Sequence, residues 1–156
     1  MPAVSKRQRE QLIWAAGFFD GEGCICLFHN KDKRWFSLHV IVVNTDPRPI
    51  EKFAELFPFA KRKILCSKNG KWKPRYEWRT QGKHAGNVLE QLLPYLVNKK
   101  QEAEIAIAWA KAPWRGGKYG VNRGKRKTDV EIAADEKSFK TLKILKKQVR
   151  IPKYAS

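Results

Sequence analysis

Apolar residues recur at close to helical spacing in QREQLIWAAGFF (8–19), where Leu12, Ile13, Ala16, Gly17 and Phe19 follow a polar, basic lead. The pattern predicts a helix of about three turns that stops at Asp20-Gly21-Glu22-Gly23, the two glycines supplying positive-φ positions at its end. Two runs rich in β-branched and aromatic residues, CICLFHN (24–30) and WFSLHVIVV (35–43), flank the basic turn Lys31-Asp32-Lys33-Arg34 and predict a hairpin. In the second run Phe36, Leu38, Val40 and Val42 share a core-like face, leaving Trp35, Ser37, His39 and Ile41 on the other. Pro47 and Pro49 mark the start of a helix that continues through IEKFAELF (50–57), with Ile50, Phe53, Leu56 and Phe57 as its apolar stripe.

A second hairpin follows: KRKILCS (61–67), the turn Lys68-Asn69-Gly70-Lys71 with its Asn-Gly signal, and WKPRYEWRT (72–80). Alternation puts Trp72, Pro74, Tyr76 and Trp78 on one face and Lys73, Arg75, Glu77 and Arg79 on a cation-rich other face, while Pro74 points to an edge position or a bulge. Helices are predicted at 83–97, 100–112 and 128–149. The order is α-ββ-α-ββ-α-α-α with no repeat at length, an α+β class. Trp14, Trp72 and Trp109, at helical or strand spacing, are expected in the core.

Composition narrows what such a chain does. The 156 residues carry 33 Lys+Arg and 15 Asp+Glu, so 33 − 15 gives +18. One domain is expected over 1–156, with a core at 8–112 and a basic loop and C-terminal helix at 113–156. With 42% hydrophobic and 12% aromatic residues, wholesale disorder does not fit, and no apolar run approaches the roughly 18 residues of a membrane span. A charge of +18 opposes folding and association unless a polyanion neutralises it, which points to nucleic acid. WRGGKYGVNRGKRK (114–127), with four glycines, six cations and no acid, predicts a mobile basic loop. Cys24, Cys26 and Cys66 have neither the pairing of a disulfide framework nor the spacing of a zinc knuckle, so reduced thiols are expected. MPAVSKRQRE lacks the apolar stretch of a secretory signal, and an intracellular, soluble location is expected.

The segment AAGFFDGEG (15–23) carries the chemistry. Small residues at Ala16 and Gly17 let a second helix approach closely. The helix end at Gly21-Glu22 offers unsatisfied carbonyls and the negative end of the macrodipole, both favourable to a cation. A carboxylate there makes a hard-oxygen site suited to Mg²⁺, which keeps several waters and bridges to phosphate oxygens. Ions held this way activate water and stabilise the leaving oxygen of a phosphodiester.

These nine residues resemble the signature of the LAGLIDADG homing endonucleases. Gly17, Asp20 and Gly23 match it outright, Ala16 matches its second position, and Glu22 takes its second acidic position. Ala15 replaces the opening Leu, and Glu22 is Glu where Asp is commoner. LPYLVNKKQEA (93–103) is similar to the family segment that carries an active-site lysine, and the element order agrees, so the resemblance covers about 10–110. It implies an αββαββα fold in which two antiparallel hairpins form a saddle-shaped DNA-binding sheet, followed by C-terminal helices.

The resemblance also implies roles. Glu22 is the metal ligand, assisted by the Gly21 carbonyl; Mg²⁺ is the expected ion, with Mn²⁺ or Ca²⁺ as other occupants. Lys99 is the basic residue near the scissile phosphate, and Asn44 stands where the family often has a solvent-positioning Gln, with Arg48 beside it. Asp20 caps or orients the motif, with metal ligation beside Glu22 as the alternative. One motif copy implies a homodimer on a partly palindromic duplex, through Leu12, Ala15, Ala16, Gly17, Phe19 and Asp20. Base readout falls to Cys24, Cys26, Ser37, His39, Lys63, Lys73, Arg75, Glu77 and Arg79. Phosphate contacts fall to Lys31, Lys33, Arg34, Lys68 and Lys71 at the hairpin tips and to Arg123, Lys125 and Arg126 in the basic loop. The expected activity is metal-dependent hydrolysis of both strands at a specific DNA site. The alternative is a non-cleaving RNA- or DNA-binding protein of the same fold, an intron splicing maturase or regulator with host intron RNA as partner. A basic structural RNA binder would leave AAGFFDGEG without a role.

Overall fold

A computed structural model describes residues 3–29, 36–66, 69–112 and 128–149. Its order is α1 (Lys6–Glu22), β1 (Gly23–His29), β2 (Phe36–Asn44), α2 (Pro47–Leu56), β3 (Lys61–Leu65), β4 (Arg75–Gln81), α3 (Gly82–Leu92), a 3₁₀ turn (Leu93–Tyr95), α4 (Lys100–Ala110) and α5 (Asp129–Val149). The strands form one antiparallel sheet in the order β1-β2-β4-β3, with Ile25 opposite Val40, Val42 opposite Trp78 and Lys63 opposite Glu77. Helices α1, α2 and α3 pack on one sheet face, and α5 packs on α4 and reaches β1. Among the described residues no helix is long and apolar enough to cross a membrane.

Local chemistry sets the helix starts. Ser5 caps α1 through a reciprocal box: its hydroxyl accepts from the Gln8 amide at 3.2 Å while the Gln8 side chain accepts from the Ser5 amide at 3.0 Å. Asp46 caps α2, with Pro47 at the first helical position. Alternation then directs the sheet residues inward as expected: Phe36, Leu38, Val40 and Val42 are buried, joined by Ile25 and Leu27. The centre is aromatic. Phe53 stacks on Phe19 with centroids 6.4 Å apart and meets Trp78 edge-on at 4.8 Å, and the Trp78 indole donates to the Phe57 carbonyl at 3.2 Å.

Several expectations change. Helix α1 runs to Glu22, so Gly21 is helical, and Gly23 is extended at φ −79°, not positive. Glycine is required at 23 for space: an added Cβ would lie 2.2 Å from the Phe19 ring. The positive-φ glycines among the described residues are Gly70, in the Asn-Gly turn, and Gly82, which opens α3. The strand expected at 72–80 begins only at Arg75, because Pro74 has no N–H for a ladder flanked on both sides by β2 and β3. Trp72, left outside the strand, is exposed rather than core, whereas Trp109 is buried and Trp14 half-buried. The helix expected at 83–97 ends at Leu92, and Pro94 falls in the 3₁₀ turn that follows. The segment 114–127 lies outside the described residues.

Gly23→Ala is expected to destabilise the chain by about 1–3 kcal/mol through overpacking against Phe19, measured by denaturant unfolding.

Candidate active site and nucleic-acid interface

Glu22 is the last residue of α1 and is exposed at the junction with β1. The Gly23 amide donates to the Phe19 carbonyl, so the carbonyls beyond Phe19 have no later helical N–H to accept from. One of them, that of Asp20, accepts from the Lys99 ammonium at 2.6 Å. The Asp20 carboxylate accepts from the Val97 amide at 2.8 Å and the Lys99 amide at 3.0 Å. Asp20 is thus fully engaged in fastening the turn before α4 to the end of α1. Lys99, half-buried, is thereby fixed beside the motif from 79 residues away.

The donor set fits a hard cation without forming a cage. Among the described residues no group of three or more His, Cys, Asp or Glu could hold a metal. One carboxylate and a helix-end carbonyl suit Mg²⁺, which takes its remaining oxygens from water and phosphate.

Asn44 closes β2 and its side chain accepts from the Asp46 amide at 2.8 Å. Arg48 forks onto Asp46, with Nη2 to Oδ2 at 2.6 Å and Nε to both oxygens at 3.0 Å, yet its side chain is 88% exposed. That hydrogen bonding, with the guanidinium charge, holds the Asp46 carboxyl down at about 2.

The sheet face opposite α1–α3 gathers the groups expected to read bases. Register places Cys24 and Cys26 of β1, Ser37 and His39 of β2, Lys63 of β3, and Arg75, Glu77 and Arg79 of β4 on that one face. His39 shares a 3.0 Å hydrogen bond with the Ser37 hydroxyl and meets the Phe28 ring edge-on at 4.9 Å. Burial, then the Arg79 charge, lowers its pKa. Glu77 differs from the exposed reader expected: it is 5% exposed and lies 3.1 Å from Arg79 Nε and 3.6 Å from Lys63 Nζ. It organises two cations instead of presenting a free carboxylate. Lys71 and Lys73 are exposed just before β4, whereas Lys31, Lys33, Arg34, Lys68, Arg123, Lys125 and Arg126 lie outside the described residues.

The residues expected at a subunit contact divide. Ala15, Ala16 and Phe19 have no exposed surface because they face this chain's own core, whereas Leu12 and Asp20 are half-buried. Of that set Gly17 alone is exposed. It shares a helical stripe with exposed Ile13 and Gly21, and an added Cβ at either glycine meets nothing within 4 Å.

Sequence reasoning missed Phe28, Val43, Lys61 and Gln81, which strand alternation could have assigned to the open face. It also missed Lys146 of α5, for which no local signal exists. Lys146 Nζ lies 3.5 Å from the sulfurs of both Cys24 and Cys26, themselves 3.1 Å apart. The hydrogen bond from Cys26, against the cost of burial and with the Lys146 charge, brings Cys24 down to about 5 while Cys26 is driven up. Burial raises the pKa of Glu102 in α4, opposed by the fields of Lys146 and Lys99.

Asp20→Ala is expected to cost about 1–3 kcal/mol by removing two backbone hydrogen bonds to a charged acceptor. Hydrogen exchange should quicken at Val97 and Lys99; unchanged exchange there would refute the fastening role.

Neither a protein-family model nor a curated protein matches the chain. Solved structures do. The homing endonuclease I-CvuI, in complex with its target in the presence of Ca, aligns at TM-score 0.58 and 19% identity over 89% of this chain and 98% of that one. The archaeal intron-encoded homing endonuclease I-Vdi141I, complexed with DNA, aligns at TM-score 0.66 and 12% identity over 88% and 85%. The LAGLIDADG meganuclease I-AabMI, bound to uncleaved DNA, aligns at TM-score 0.61 and 19% identity over 81% of this chain and 43% of that one. The chain therefore has the fold of the LAGLIDADG homing endonucleases.

Proposed function

We propose that this chain is a homodimeric, Mg²⁺-dependent member of the LAGLIDADG homing endonucleases, hydrolysing one phosphodiester on each strand of a long, partly palindromic duplex. One observation carries the reading: Asp20 holds Lys99 against the helix end that exposes Glu22, beside the cation-rich sheet face opposite α1–α3. The similar I-CvuI was crystallised with DNA in the presence of Mg and of Ca, which accords with a divalent ion at Glu22.

The residues divide the work. Glu22 and the Gly21 carbonyl hold the ion, which supplies activation of water and stabilisation of the leaving oxygen. Lys99 places positive charge beside the scissile phosphate, and Arg48 adds a guanidinium that Asp46 keeps oriented. Asn44 positions solvent. Arg75, Arg79, Lys63 and His39 face base edges in the major groove, while Lys73, expected among the base readers but lying before β4, joins Lys71 on the flanking phosphates. A second copy, meeting the first along Ile13, Gly17 and Gly21 of α1, brings the second carboxylate for the other strand.

Glu22→Gln should lower Mg²⁺-dependent cutting of a randomised duplex library by about a hundredfold or more, roughly 3 kcal/mol of barrier, while duplex binding persists. Cutting that survives the substitution overturns the role of Glu22. Binding with no cutting by the unaltered protein would instead favour the non-cleaving alternative.

Gly17→Leu is expected to leave the chain's own packing intact, since a Cβ added there meets nothing within 4 Å among the described residues. Sedimentation should therefore show folded monomers where the unaltered protein is dimeric. A dimer that persists would place the interface elsewhere.

A further inference from the structure

Catalysis as proposed leaves one nucleophilic cluster unused. Cys24 and Cys26 project from the same face of β1, their sulfurs 3.1 Å apart, and the Lys146 ammonium of α5 stands 3.5 Å from both. Both thiols are partly exposed. A cavity of about 360 Å³ opens between β1 and α5, lined by Cys26, Phe28, Phe139, Leu142, Lys143 and Lys146, and gives a small reagent access to Cys26. Cys66, the third cysteine, is exposed and lies on the far side of the sheet order, beyond the end of β3.

We propose that Cys24 and Cys26 are a thiol modification site that hydroperoxides convert to an intrastrand disulfide, with Lys146 assisting the reaction. One sulfur attacks a peroxide oxygen: an S–O bond forms, the O–O bond breaks, and the departing oxygen leaves as water or alcohol with the thiol proton. The second sulfur then attacks the resulting sulfenic sulfur. An S–S bond forms, the S–O bond breaks, and the hydroxyl leaves as water with the second thiol proton. Two thiols lose two electrons, which reduce the peroxide. The Lys146 ammonium stabilises negative charge on whichever sulfur attacks.

The product constrains the strand. Residues i and i+2 of an extended strand have Cα atoms about 6.6 Å apart, close to the upper limit for a disulfide. Closing the bridge therefore puckers β1 at Ile25, a core residue paired with Val40 and three positions from Glu22. The same bridge alters the face assigned to DNA, so a loss of binding or cutting on oxidation rests on the function proposed above.

Mass spectrometry of the full chain tests the site without DNA. After hydrogen peroxide and then iodoacetamide, the tryptic peptide 10–31, which carries both cysteines, should lose two hydrogens, while peptide 64–68 keeps Cys66 as an alkylated thiol. Dithiothreitol should restore the first peptide. Closure should outpace oxidation of Cys66 by about tenfold or more, and Lys146→Met should remove most of that advantage. Cys24→Ser and Cys26→Ser should each abolish the loss of two hydrogens. Oxidation of Cys66 at an equal rate, or bridges mainly between chains, overturns the proposal. A bridge that forms in a protein that never cuts DNA leaves this site standing and refutes the nuclease reading alone.

Discussion

The Asp20 carboxylate joins two ends of the candidate site that the chain separates by 79 residues. Its two oxygens accept from the amides of Val97 and Lys99, and its own carbonyl accepts from the Lys99 ammonium. An acid at a helix C-terminus is electrostatically unfavourable against the macrodipole. Here the amides of the approaching turn and the cation of Lys99 offset that cost. The result is a rigid relation between a carboxylate at 22 and an ammonium at 99, which a hydrolytic site needs and which neither segment provides by itself.

The helix end is fixed from below as well. Phe19 lies between the bare Cα of Gly23 and the ring of Phe53, and Phe53 leans on Trp78 at the centre of the sheet. Motif and sheet therefore share one aromatic core, so the direction in which Glu22 emerges follows from how β4 packs. The other sheet face keeps its polar groups because α1–α3 are all on one side. Burial of Glu77 between Lys63 and Arg79 turns what alternation would make a row of repelling cations into an ordered array.

At the β1 edge, α5 touches both sides of the sheet. Phe139 meets Phe36 and His29, whereas Lys146 reaches the sulfurs on the open face. An outer strand otherwise presents unpaired backbone groups, and a covering helix limits that exposure. The cover places one more ammonium within the electrostatic reach of Cys24 and Glu102, which Lys99 also influences.

Local pattern was sufficient for much of this. The alternation of Phe36, Leu38, Val40 and Val42, the caps at Ser5 and Asp46, and the hairpin signal at Asn69-Gly70 depend on neighbours within a few residues, and the elements follow them. The AAGFFDGEG motif likewise located the helix end and its acids. Local pattern failed where a distant partner decides. Glycine at 23 answers to the Phe19 ring and not to backbone conformation, and Trp72 is exposed because Pro74 delays a strand that lies between two others. Ala15, Ala16 and Phe19 are small or apolar enough for a subunit contact, yet the chain's own core covers them and leaves Gly17 outward. By itself, then, the sequence determined the elements, the charge and the acids at the end of α1. Only the tertiary structure decided that Lys99 stands beside them and Lys146 beside the thiols, because contacts across 79 and 120 residues leave no trace in local periodicity.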